Sequence, residues 1–242
     1  MITKLIYGKQ QVLSAIKSGK KIDKVYCTPK SFDMIDIFNQ NKIIYKLRPS
    51  DEITKIAGNN NHQNVVALVY MEEPLTLEQF LLKSSSKEKQ LIVILDKIQD
   101  PHNFGSILRS CEIYKADAVI FGTHEQAPIT PVVTKTSAGA LNYLDVVQVG
   151  NISQAIEKLK QAGFWIYATG FSERAVPLSA IDLSDKMALV LGNEGDGVSK
   201  NIFKNSDFQV KIEMLGNTES LNVSVSCGVC LYFIRYLQKF HY

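Results

Sequence analysis

Apolar residues recur along this chain in two rhythms, one of helices and one of short strands. Over residues 8–18, Val12, Leu13 and Ile16 fall at helical spacing and Gly19 follows as a C-cap, which predicts a short amphipathic helix. Ile22–Cys27 then reads as a strand, Phe32–Phe38 as a helix, Ile43–Leu47 as a strand, Ser50–Ile56 as a helix and Val65–Tyr70 as a strand, with Asn59-Asn60-Asn61 as a loop. This alternation predicts a small α/β domain over residues 1–70. Residues 71–89 change character: Glu72-Glu73-Pro74 and the polar run Ser84–Lys89 flank one short helical stretch, Leu77–Leu82, and the segment reads as a linker.

Residues 90–242 repeat a strand-then-helix pattern. Candidate strands are Leu91–Leu95, Ala118–Phe121, Leu144–Val149, Trp165–Thr169, Ala188–Leu191 and Gln209–Glu213, with helices such as Ser153–Gln161 between them. Short, continuously apolar strands separated by helices predict an α/β fold with a mostly parallel sheet and helices on both faces. Val223–Ile234 is small or apolar on nearly every side, so it is expected to pack on the sheet on one face and on a second subunit on the other.

The chain has 242 residues, 45% of them hydrophobic and 21% charged, which suits one large or two small globular domains. Apolar runs such as Leu91–Leu95 and Met187–Leu191 hold five residues, against the roughly 20 of a membrane span, so no membrane is expected. The N-terminus lacks the apolar core of a signal peptide, and its first 20 residues carry no Arg, which points to the cytosol. Residues 1–70 hold eleven Lys/Arg against five Asp/Glu, whereas residues 71–242 hold sixteen against nineteen. The basic half either meets a polyanion or is a solvated face; Lys17, Lys20, Lys21, Lys24 and Lys30 crowd one stretch with only Asp23 opposing them.

Three strand ends carry small and polar residues, where α/β sheets bind ligands. In the first, Asp96–Arg109, Asn103 is placed as an N-cap, and Phe104, Ile107, Leu108 and Cys111 form the buried stripe. Arg109 points away from that stripe, toward a ligand, another subunit or its neighbour Glu112. The second, Leu191-Gly-Asn-Glu-Gly-Asp-Gly197, matches neither GxGxxG nor a P-loop, leaving a slot for a neutral or cationic small molecule beside Glu194, or a plain glycine turn. In the third, Met214–Ser226, Ser220 is positioned to cap a helix from Leu221. Cys227-Gly-Val-Cys230 has no second pair, and the histidines (62, 102, 124 and 241) are scattered, so no metal site is expected.

Pro101–Arg109, Leu191–Gly195 and Ser220–Ser224, in that order and each at a strand end, resemble the three motifs of the SpoU/TrmH family of RNA ribose 2′-O-methyltransferases in the SPOUT superfamily. The N-terminal part is similar to the ribosomal-protein-like RNA-binding domain of the branch that modifies a guanosine of large-subunit rRNA: Gly8, Val12 and Ala15 fit its opening helix, and His62-Gln63-Asn64-Val65 its closing His-Gln-Gly-Val. Asn64 stands in place of the usual Gly, and Asn tolerates positive φ.

The resemblance implies a C-terminal trefoil knot, which the strand pattern alone does not suggest. It also implies a homodimer through the catalytic domain, S-adenosyl-L-methionine as methyl donor and RNA as substrate. It makes Asn103, Arg109, Glu194, Ser220 and Asn222 catalytic-site residues, and has Gly192, Ile212 and Leu221 line the donor pocket, with Thr169 and Gly170 completing its wall. Lys17, Lys20, Lys21, Lys24 and His62 are expected to meet the RNA. A tRNA substrate, or a non-catalytic RNA-binding protein that keeps the fold, is the alternative.

Overall fold

The computed structural model describes residues 2–71, 73–218 and 220–237; Glu72 of the expected linker and His241 lie outside the described residues. In chain order the elements are β1 (Ile2–Tyr7), α1 (Lys9–Lys17), β2 (Ile22–Cys27), α2 (Phe32–Gln40), β3 (Tyr45–Leu47), α3 (Ser50–Ala57) and β4 (Val65–Met71). There follow α4 (Leu77–Lys83), β5 (Gln90–Asp96), α5 (Pro101–Ile113), β6 (Ala118–Gly122), α6 (Pro131–Thr136), β7 (Asp145–Val149) and α7 (Ile152–Gln161). The last are β8 (Trp165–Thr169), β9 (Val176–Pro177), β10 (Lys186–Gly192), α8 (Lys200–Asn205), β11 (Phe208–Lys211) and α9 (Val223–Leu237). The chain divides into two units: Met1–Glu73 with Ile129–Tyr143, and the remainder from Pro74 to Pro128 and from Leu144 onward.

The first unit is built on a sheet of order β1-β4-β2-β3, in which β4 runs antiparallel to β1 and β2 while β2 and β3 are parallel. Val12, Val25, Met34, Phe38, Val65 and Ala67 form its core. β1 precedes the helix expected over residues 8–18, in a stretch for which the sequence predicts no element; its strand state comes from pairing with β4, a partner some 60 residues away. Asn64 does adopt a positive φ of 62°, and so does its neighbour Gln63 at 50°. The segment 129–143 is tied to α1 by side chains: Gln11 Nε2 donates to Lys135 O and Asn142 Nδ2 to Ser14 Oγ.

The second unit holds a seven-stranded sheet of order β7-β6-β5-β10-β8-β11-β9, parallel at every pairing. β5, β6 and β10 are buried almost throughout, as their unbroken apolar sequences require. The two-residue edge strand β9 was not foreseen. Residues 74–89, expected as linker, belong to this unit: Thr76 and Gln79 form a capping box for α4, and Leu77 and Phe80 enter the main core. The polar Ser84 is itself buried, its hydroxyl donating to Phe80 O.

Because the sheet is parallel, the C-terminal ends of neighbours β5, β10, β8 and β11 lie along one edge. Segments far apart in sequence (residues 96–103, 169–170, 192–198, 211–218 and 220–222) are thereby gathered. α9 packs chiefly on α5, rather than on the sheet as expected: Arg235 Nε donates to Tyr114 O, and the Tyr114 and Tyr232 rings meet edge-on at 6.4 Å. Its outer side leaves Val225, Val229, Tyr232 and Tyr236 exposed, one stripe at helical spacing.

Candidate active site

The helix α5 begins one turn earlier than its sequence suggested. Asp100 is the N-cap, accepting from His102 N at 2.8 Å, and Pro101 takes the first helical position, where no N–H is needed. Asn103 is therefore not the cap, and its side chain is free to reach across the site. It donates to Glu194 Oε1 and accepts from Asn222 Nδ2 at 3.1 Å. Asn222 stands just ahead of α9, where Ser224 donates to its Oδ1 through both backbone N (2.9 Å) and hydroxyl (2.6 Å). Capping of α9 thus falls to Asn222, and the helix starts at Val223 rather than Leu221. One asparagine joins all three motifs.

Beside this chain lies a cavity of about 490 Å³. Its walls include every residue assigned to the donor pocket, Thr169, Gly170, Gly192, Ile212 and Leu221, together with Glu194 and Ser220. Asp196, Lys200, Phe203 and Lys211 also line it and were not singled out for it; Phe203 and Lys200 sit on a short helix that carried no motif. Gly192 explains the shape, since a Cβ there would occupy the same space as the backbone of Gly197 and Val198. The loop folds back because Asn193 Oδ1 accepts from both Gly195 N and Asp196 N, at 2.9 and 2.7 Å, and Gly197 takes a φ of +67°. Asp96, buried at the end of β5, accepts from Ser199 N at 2.7 Å and pins the far side of the loop. At Gly170 a Cβ would press on the Phe203 ring at 2.7 Å.

Arg109 stands elsewhere. Six residues beyond Asn103 it lies about 9 Å along the helix axis, is exposed, and has no hydrogen-bond or ion-pair partner among the described residues, Glu112 included. It does not line the cavity. In the first unit, Lys17 and Lys21 are exposed, Lys21 over the Tyr70 ring and Lys24 over the Tyr26 ring, while Lys20 donates to Leu141 O. His62 is not among them. It is 4% exposed at the other end of β2, its Nδ1 accepts from Asn64 N, and its Nε2 meets Thr54 Oγ1 at 2.9 Å. Both ring nitrogens are thus used inside the unit, holding the turn that Gln63 and Asn64 make, and burial pushes the imidazole pKa down.

Behind the site, Cys111 of α5 and Cys227 of α9 are in hydrogen-bonding contact, which with burial pushes the Cys227 thiol well up; burial pushes Cys230 up to about 12. All four cysteines are unpaired and buried. Among the described residues no group of three or more His, Cys, Asp or Glu is arranged to hold a metal, and no helix is long and apolar enough to cross a membrane.

The family described as SpoU rRNA Methylase matches residues 90–232, and the RNA 2′-O ribose methyltransferase substrate-binding family matches residues 5–75. The chain belongs to the SpoU methylase family. It is 37% identical over 232 residues to an uncharacterised tRNA/rRNA methyltransferase of Mycoplasma pneumoniae, covering 95% of this chain and 96% of the relative. A putative TrmH-family tRNA/rRNA methyltransferase of Staphylococcus epidermidis is 35% identical, over 94% of this chain and 93% of its own. Among solved structures, the SpoU methyltransferase AviRb of Streptomyces viridochromogenes, in complex with AdoMet, shares the fold at a TM-score of 0.82 and 21% identity, over 99% of this chain and 92% of that one. An AdoMet-bound rRNA methyltransferase of Sinorhizobium meliloti does so at 0.81 and 22%, over 97% and 87%.

Proposed function

We propose that this SpoU-family chain transfers a methyl group from S-adenosylmethionine to a ribose 2′-hydroxyl of RNA, at a guanosine of large-subunit rRNA. The observation that carries the reading is the hydrogen-bonded chain Glu194–Asn103–Asn222, in which Glu194 also lines the glycine-walled cavity. The relatives' names and the AdoMet bound to two neighbours of the same fold support it.

The cavity suits the cofactor. Its volume of about 490 Å³ falls within the roughly 300–1,000 Å³ of small-molecule sites. Gly192 lets backbone approach closely, Val210, Ile212 and Leu221 offer apolar surface to a base, and Glu194 and Asp196 offer carboxylates to a cation. When bound, S-adenosylmethionine supplies an electrophilic methyl carbon on a sulfonium. The chain's own residues then work by positioning. Asn103 fixes the Glu194 carboxylate, which accepts the hydrogen bond, and finally the proton, of the ribose hydroxyl. Arg109, exposed and without a partner among the described residues, clamps the phosphate beside that ribose; with a pKa above about 12 a guanidinium is a costly base and a natural anion fork. Lysines of the first unit hold further phosphates, and RNA shape or unpaired bases specify the target.

We also infer a homodimer through the second unit, with the exposed Val225–Val229–Tyr232–Tyr236 stripe against its copy. The trefoil knot fits a sheet in which β10 is inserted between the earlier strands β5 and β8. Mapping 2′-O-methyl marks in all RNAs of a strain lacking the gene tests the reading. One large-subunit guanosine should lose its mark, regained with the wild-type gene and not with Arg109→Ala. Loss confined to tRNA would transfer the activity to that substrate, and loss nowhere would contradict it.

A further inference from the structure

The loop after β6 carries no motif, yet it grips the loop that delivers Asn103. Gln126 Oε1 accepts from Ile98 N at 2.9 Å, and Ala127 N donates to Ile98 O at 2.8 Å, so both backbone groups of the fully buried Ile98 are held from residues 126–127. One residue back on each side, Lys97 pairs with Glu125, and both take positive φ, 64° and 52°. Two residues after Ile98, Asp100 caps α5, and Asn103 follows in its first turn.

We propose that Gln126 is a positioning residue for methyl transfer: through Ile98 it fixes the start of α5, and hence the Asn103 amide that joins Glu194 to Asn222. This rests on the functional reading above. The energetics point to position rather than stability. Gln126 satisfies one buried N–H, but among the described residues its own Nε2 is enclosed with no partner. The penalty of enclosing that Nε2 unpaired is of the same size as the penalty of leaving the Ile98 N–H unpaired, so exchanging one for the other changes stability little. An apolar side chain of similar length would fold as well, while leaving the Ile98 N–H without its anchor. A site residue needs to be held within about 0.5 Å of its working position, which is what such an anchor provides.

The test uses the full chain with Gln126→Met, which keeps the volume and removes the acceptor, and Gln126→Glu, which restores an acceptor. Amide hydrogen exchange should quicken about tenfold or more over residues 98–104 in Gln126→Met, with the melting temperature within a few degrees of wild type. Its kcat on RNA should fall about tenfold or more, with cofactor Kd within about twofold, and Gln126→Glu should recover most of the loss. Unchanged exchange, or an unchanged kcat in a protein whose wild type methylates RNA, overturns the inference; so does a loss of stability and cofactor affinity in step with the loss of kcat. If the wild type methylates no RNA, the functional reading has failed and the exchange comparison alone decides whether Gln126 anchors α5.

Discussion

Asn222 donates its side-chain amide to Asn103 across 3.1 Å, although 119 residues separate them in the chain. The same Asn103 side chain donates onward to Glu194, so an uncharged amide stands between a helix cap and a carboxylate. The amide, donor at one end and acceptor at the other, serves both neighbours at once.

Replacing it should therefore be costly without harming the fold. Asn103→Ala is expected to lower kcat about a hundredfold, with cofactor affinity within about threefold, because it frees Glu194 rather than narrowing the cavity. Asn103→Asp should fare no better, since it sets a second carboxylate against Glu194. Single-turnover methyl transfer and calorimetry separate the two effects.

Gly192→Ala should act on the cavity itself. A methyl group there collides with the Gly197–Val198 backbone, which cannot rotate away as a side chain would. Cofactor affinity should fall by more than about tenfold, and the melting temperature by several degrees, from an overpacking cost of about 1–3 kcal/mol. At Gly195 the nearest neighbour of an added Cβ is Asn193 Oδ1 at 3.6 Å, so Gly195→Ala should melt close to wild type.

RNA and cofactor should answer salt differently. If lysines of the first unit hold phosphates, the logarithm of RNA affinity falls linearly with that of salt, by about 0.7 for each phosphate neutralised on a single strand. Replacing Lys17 and Lys21, both exposed, by Ala should flatten that slope by about one to two. Cofactor binding should barely move. Filter binding at several salt concentrations measures both.

His62 gives the first unit a pH dependence of known sign. Burial lowers its pKa in the folded state, so below about pH 6.5 the unfolded chain takes up a proton that the folded chain resists. Stability is therefore full above that pH and is lost as the pH falls toward the depressed folded value. Melting temperatures at pH 7.5 and 5.5 should show a drop that His62→Gln reduces; an equal drop in the variant would assign it to other groups.

Most of the elements could be read from the sequence because most are locally determined. Ile22–Cys27 and Trp165–Thr169 have the bounds that the sequence predicts, and the three motifs announce themselves by clustered glycine, asparagine and serine at strand ends. What escaped reading depends on distant partners. β1 is a strand because β4 pairs with it, and α4 joins the core although polar residues on both sides imitate a linker. Asn103 was placed as a cap because caps and ligand-reaching amides use the same side chain; Asp100 three residues earlier took the role. His62 looked like a contact residue for the same kind of reason, since a histidine next to a turn reads alike whether it faces solvent or holds the turn from inside. Gln126 carried no signal beyond its place in a polar loop after a strand.

The central claim is that the cavity presents a methyl group to a sugar oxygen. It is tested most directly by incubating the purified protein with isotope-labelled S-adenosylmethionine and ribosomal RNA, digesting the RNA to nucleosides and resolving them by mass spectrometry. The account predicts label in 2′-O-methylguanosine from the large-subunit RNA, absent with Arg109→Ala. Label on a base rather than a ribose, or no label in any RNA, would contradict it.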